Sequence, residues 1–312
     1  MTSAPTAIDL SRLPAPTAIE PLSFDVLLQG AIDRFVADYA SARALDPSLP
    51  AYSVEMLQTD PVIIELRTWS NLRLYDRQRV NDVFEALLAA RARGSNLDAI
   101  AAGRNIERQT IVAATSTAAA IMESDTGLLR RYLLSFDVPA AGSAGRYLFD
   151  AWTAWPHVSD VSGMLDARVN GYAVHGRRGD IDLVITGPGG AVPTTEQILT
   201  VRNAVTDINR APEGVAITVL GAVRVEYAVS LVVEVPQFGP APELIRQEAL
   251  ARVNAAAKDR LLIGGEIPAG FLAGAAYGPN IIKVRDLAPV LIEPDPYKIP
   301  VMTAVEVTVE VR

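Results

Sequence analysis

The chain has 312 residues, half of them apolar and 21% charged, enough for two or three globular domains with a substantial core. A formal net charge of −8 argues against a general nucleic-acid binder and against attachment to anionic lipid, since both need surplus Lys and Arg. With no cysteine, disulfide staples, thiolate metal sites and cysteine nucleophiles are excluded.

The opening "MTSAPTAIDLSRLPAPTAIEPLSF" has no basic segment followed by an apolar one, so it does not read as a signal peptide. No run approaches the roughly 18 apolar residues of a membrane span. The expectation is a soluble protein made in the cytoplasm. Pro5, Pro14, Pro16 and Pro21 mark residues 1–22 as an extended arm. Ser23 then caps a helix whose apolar residues, from Phe24 through Leu27, Leu28, Ala31, Ile32, Phe35 and Val36 to Tyr39, keep helical spacing. After the loop "ALDPSLPAYS", Asp60-Pro61 starts a second helix. No Gly or Pro interrupts residues 62–93, which predicts a helix over 61–93, roughly 50 Å long at 1.5 Å per residue, ending at Gly94. Its expected apolar stripe is Leu66, Trp69, Leu72, Val80, Val83, Phe84, Leu87 and Leu88, broken by "YDRQRVN". Ser95 is expected to cap a short helix that Leu97 and Ile100 anchor back onto the long one.

Residues 110–121, "TIVAATSTAAAI", suit a strand or a linker. "ESDTGLLRRYLLSFD" and "GSAGRYLFDAWTAW" read as helices, the second starting after Gly142 and Gly145. Beyond about residue 158, β-branched runs ("DIDLVITG", "VAITVLGAVRVEYAVSLVVEV", "VMTAVEVTVEV") alternate with helical ones. One helix opens with a Thr194/Gln197 capping box and another carries Pro242 in its first turn. The expected class is α+β: an elongated, multi-domain chain with an N-terminal helical part containing one long helix, and C-terminal split βαβ-like modules. The expected divisions are an arm (1–22), a helical domain (23–157) and two α+β modules (158–225 and 226–312), the two strands of the 216–235 run being read as paired.

Chemistry is hard to find. His157 and His175 are the only imidazoles, and although His157, Asp160 and a serine would make a triad, there is no Gly-x-Ser-x-Gly elbow. No clustered His and carboxylate spacing suggests a metal. "TGPGGAVPTTEQ" lacks the Lys-Ser/Thr of a phosphate loop and reads as a strand-to-helix turn. "RRGD" reads as a turn into a strand, and "EPDPY" as a solvated loop. No enzyme, no cofactor and no metal is therefore the expectation, with an unrecognised hydrolase as a distant rival.

The stretch "ARARGSNLDAIAAGRNIER" has the look of a helix-turn-helix, with Ala99 and Gly103 in the small-residue positions. Gln109 falls where an aliphatic lock is needed, and "NIERQTIVAATST" is too β-branched for a recognition helix. Residues 77–108 hold six arginines against four acids, a small surplus for DNA reading. A DNA-binding regulator remains the alternative.

The longer segment "RQRVNDVFEALLAARARGSNLDAIAAGRNIER" (77–108) resembles the shared segment of the baseplate J-like family. That segment runs Arg-Gln-Arg-x-Asn, then Gly-x-x-Leu-Asp, then an arginine. "IDLSRLPAPTAIEPLSFDVLL", "IMESDTGLLRRYLLSFD" and "AGRYLFDAWTAWPHVSDVSG" resemble the family's arm, its Glu-Ser-Asp helix start and its helix-to-strand passage. "NRAPEGVAITV" departs from the usual Arg-Pro-x-x-Asp-Arg-Val strand entry, and the tail "IEPDPYKIPVMTAVEVTVEVR" has no clear counterpart. The resemblance implies a structural subunit of the baseplate wedge of a contractile phage tail or related injection machine. It would link wedges into a ring, around six-fold, about a hub and rearrange to trigger sheath contraction. It would sit in the virion's tail baseplate after synthesis in the host cytoplasm. The implied partners are other wedge proteins and copies of itself, with no nucleic acid and no membrane. Trp69, Tyr75, Arg77, Arg79, Asn81 and Arg91 are the interface candidates, either within the helical bundle or toward partners.

Overall fold

The computed structural model describes residues 16–52, 57–159 and 161–312; most of the expected arm (1–15) and Asp160 lie outside the described residues. The chain forms two compact units, Ile8–Ile100 and one that contains Ala101–Arg312.

In the first unit, α1 (Phe24–Leu45) is capped by the Ser23 hydroxyl, which accepts from Val26 N. α2 (Pro61–Ala86) is capped by Asp60, whose carboxylate accepts from Val62 N at 3.0 Å, with Pro61 in the position that needs no N–H. The two helices pack on each other. α2 ends at Ala86 and not at residue 93, although Leu, Ala and Arg follow and favour helix. The contacts made beyond it override propensity. Arg91 reaches back to Glu85 at 3.0 Å, a pair six residues apart that a continuous helix would place on different faces, and Ala92 is buried. Gly94 takes a positive φ of 53°, and α3 (Ser95–Ala102) follows. Ser95 is thus its first helical residue and not its cap, since the Gly94 carbonyl accepts the first helical bond, from Asp98 N. Leu97 is fully buried and Ile100 half-buried.

In the second unit, β1 (Thr110–Val112) and β2 (Ile121–Met122) form an antiparallel hairpin where a recognition helix would have to lie, which overturns the helix-turn-helix reading. α4 (Asp125–Leu134) and α5 (Ala144–Ala154) follow. α5 begins earlier than expected. Ser143 caps it through Arg146 N, and Gly145 lies inside it, at a position where a Cβ would collide with the Asp137 carboxylate.

Two small sheets complete the fold, as the mixed α+β expectation has it. The first has order β3-β4-β5, from β3 (Asp166–Asn170), β4 (Asp180–Thr186) and β5 (Ala216–Gly221). β3 pairs antiparallel with β4 across the single turn α6 (Tyr172–His175), and α7 (Thr195–Val205), opened by the Thr194/Gln197 capping box, carries the chain across to parallel β5. The second has order β7-β6-β8: β6 (Val223–Val235), β7 (Lys283–Asp286) and β8 (Lys298–Val311). Between β6 and β7 lie α8 (Pro242–Asp259), with Pro242 in its first turn, and α9 (Phe271–Ala276); β7 runs antiparallel to β6 and β8 parallel to it. Each sheet is therefore a central strand, a crossover helix and a parallel edge strand, with one antiparallel strand on the other side.

β5 and β6, read as a pair from the sequence, belong to different sheets. Ala222 between them is buried; its N–H donates to Ile185 O in the first sheet, and the next N–H, Val223, donates to Tyr297 O in the second. α5 and α7 cover the first sheet, α8 and α9 the second, and Val184, Ala222, Ile263, Ile299 and Val301 form a third cluster between them. "EPDPY" is no solvated loop. The Tyr297 hydroxyl donates to Asp182 at 2.7 Å, and Asn170 Nδ2 donates to the Pro296 carbonyl at 2.9 Å, so this segment ties the sheets together.

Candidate functional site

α2 carries two stripes. At about 100° per residue, Ile63, Leu66, Ser70, Leu74, Arg77, Asn81 and Phe84 share one face, and all of them are buried or half-buried. Trp69, Leu72, Val80, Val83 and Leu87 share a neighbouring face and are 49–71% exposed. The sequence stripe mixed the two, because the inward face contains Ser70, Arg77 and Asn81 and so does not look apolar.

Arg77 and Asn81 both hold residue 20. Asn81 Nδ2 donates to the Glu20 carbonyl at 2.9 Å while its Oδ1 accepts from Glu20 N at 3.2 Å, so one buried amide replaces a strand partner for the arm. Arg77 meets the Glu20 carboxylate at 3.1 Å. Arg91 is engaged with Glu85. Trp69, Tyr75 and Arg79 point to solvent. The six candidates thus separate into three that make contacts within the chain and three that face outward. Leu72, Val80, Val83 and Leu87 are exposed residues that the sequence candidates omit; their spacing is visible as an apolar stripe, but the stripe alone does not separate the outward face from the inward one. α1 adds to this surface deficit: none of its side chains is fully buried, and Val26 and Leu45 are largely exposed.

The Glu-Ser-Asp run is structural. Glu123 is fully buried and accepts from Arg131 at 2.6 Å and from Gln109 N at 3.2 Å. Burial pushes its carboxyl above the usual range despite the opposing pull of Arg131. Ser124 caps α4 by accepting from Gly127 N, and Asp125 pairs with Arg108 at 2.6 Å. The same Ser124 hydroxyl lies 2.7 Å from His157 Nδ1, so it is shared between a helix terminus and an imidazole and not held ready as a nucleophile. His175 is fixed through both ring nitrogens to the backbone, at Asn170 O and Arg177 N. In "RRGD", Gly179 has positive φ and Asp180 opens β4 while pairing with Arg177, so the tripeptide is a turn. "GPGG" is a short 3-10 turn leading to α7, with positive φ at Gly189 and Gly190.

Residues 58–115, which span α2, the break after it, α3 and β1, match the model of the baseplate J-like N-terminal domain. Baseplate protein J of Escherichia phage P2 is 27% identical over 287 residues, covering 90% of both chains. The chain is thus similar to the baseplate J-like family, over this segment by the family model and over most of its length by the phage P2 protein. In this chain the matched segment is the part that presents the exposed stripe of α2. No helix among the described residues is long and apolar enough to cross a membrane.

Proposed function

We propose that this chain is a structural protein of a phage tail baseplate: a wedge subunit that links neighbouring wedges into a ring, around six-fold, about the hub, with rearranged contacts at its surfaces that let the ring open and trigger sheath contraction. It carries out no catalysis in this reading, and its partners are other wedge proteins and copies of itself. The observation that carries it is the row Trp69, Leu72, Val80, Val83 and Leu87. Contiguous apolar surface of this kind marks a protein contact more often than open solvent. Trp69, Tyr75 and Arg79 are proposed as partner contacts, and Arg77, Asn81 and Arg91 as the residues that hold the presenting helix to its arm and its end. The division into arm, helical domain and two α+β modules is part of the same proposal.

The test is assembly. Leu72→Glu combined with Val83→Asp should leave the purified chain folded by circular dichroism but remove it from tail particles recovered by sedimentation. Incorporation at the level of the unmodified chain would defeat the proposal.

A further inference from the structure

β8 is an edge strand that runs for 14 residues, and β6 is the only strand that pairs with it among the described residues. The other edges are shorter: β3 has five residues, β5 six and β7 four. The start of β8 is covered, with Ile299 and Val301 buried and Gly264 N donating to Lys298 O. From Thr303 to Glu310 no backbone bond reaches the outer side of the strand from any described residue. In a parallel ladder alternate residues turn both N–H and C=O away from the partner, so this stretch offers a row of unused donors and acceptors. Beside it lies a groove of about 740 Å³ between Val305–Val309 and Pro242, Glu243 and Arg246 at the start of α8.

We propose that this edge accepts one more strand, an extended segment of another baseplate component in which Lys or Arg alternates with β-branched apolar residues. This rests on the baseplate reading for the partner's presence, and on the edge for its chemistry. Val305, Val307 and Val309 face α8, so alternate residues of the incoming strand meet an apolar wall. On the opposite face Glu306 has no ion-pair partner among the described residues, and Glu310 shares Arg285 with buried Glu234, so cations beside them complete the pattern. A second copy of β8 suits the edge poorly. In the antiparallel register of fullest overlap, centred on Val307, Glu306 of each copy lies diagonal to Glu306 and Glu310 of the other, and nearby like charges oppose pairing.

Hydrogen exchange of residues 303–311 tests this in the full-length chain and in assembled tails. Alternate amides should exchange freely in the isolated chain at any concentration and slow at least tenfold in the particle. Glu306→Lys should abolish that slowing and Glu306→Gln weaken it. Protection that appears on concentrating the chain alone would assign the edge to a second copy and overturn the proposal, as would unprotected amides in the particle. If the chain is absent from particles, the baseplate reading has failed separately. The edge is then tested with a synthetic peptide of alternating Lys and Val, which should protect these amides where its Glu-for-Lys counterpart does not; equal behaviour of the two overturns the edge proposal on its own.

Discussion

Asn81 supplies a donor and an acceptor to a single residue of the arm, a task for which neither a carboxylate nor an aliphatic side chain is suited. Asn81→Ala should cost about 1–3 kcal/mol, the range for leaving buried polar groups unpaired, and should open the chain to proteolysis near residues 16–22. Asn81→Asp should be worse at neutral pH, where the carboxylate faces the Glu20 carbonyl, and should recover in acid as it protonates; equal protease sensitivity of both variants at all pH values would contradict the clamp. The Glu123–Arg131 pair makes the opposite use of charge. Burial raises the Glu123 pKa in the folded chain, so its contribution to stability is fully present below the unfolded value of 4.5 and is lost as pH rises through the folded value. Removing Arg131 leaves that buried carboxylate without its ion-pair partner, held by the Gln109 N–H. Arg131→Ala should destabilise by about 3–5 kcal/mol near neutrality, and by less near pH 5, where the orphaned acid takes up a proton. Urea titrations at the two pH values measure the difference, and a pH-independent loss would mean that Arg131 acts through packing.

Helix boundaries set the element scale. Gly145 lies in the first turn of α5, where Ala would ordinarily gain about 1 kcal/mol. With Asp137 packed where the Cβ would go, Gly145→Ala should instead lower the melting temperature, and a higher one would show that the 136–144 turn yields. The residues that cap these helices were legible in the sequence because capping is local: Ser23, Asp60 and the Thr194/Gln197 box all act within three residues of themselves. The end of α2 was not legible, because Glu85–Arg91 and buried Ala92 are tertiary contacts that no local propensity reports. The same reason hid the exposed row of α2. A periodic apolar row does not by itself say whether it meets core or a partner, and the position of Asn81 and Arg77 against Glu20 shows which face of α2 turns inward. The β5–β6 junction failed in the same way, since one buried alanine passes the chain from one sheet to another without a turn signal.

At the scale of the whole molecule, the two sheets are joined by side chains far apart in sequence. Tyr297 donates to Asp182, Asn170 holds the Pro296 carbonyl, and Asp166 accepts from Ile263 N at 2.8 Å. Around these bonds sit Val184, Ala222, Ile263, Ile299 and Val301, so a polar rim surrounds an apolar contact. A joint of this kind should transmit force and make the two sheets unfold together. Burial pushes the Asp182 carboxyl upward, but the bonds from Tyr297 and Arg177 outweigh it and hold its pKa below the ordinary 3.8. A depressed carboxylate stabilises the fold above its unfolded pKa, and that stabilisation is lost as pH falls through the lower folded value. Tyr297→Phe removes one of these bonds and leaves those from Arg177. It should cost about 1.5–3 kcal/mol at pH 7, the range for a hydrogen bond to a charged group, and the gap from the unmodified chain should close as pH drops below the ordinary carboxylate range. Paired with Asn170→Ala, it should split a single calorimetric transition of the 101–312 region into two, the first sheet melting apart from the second. A single transition that merely shifts to lower temperature would mean that the apolar cluster alone couples the sheets, and that the polar rim sets their register without joining them.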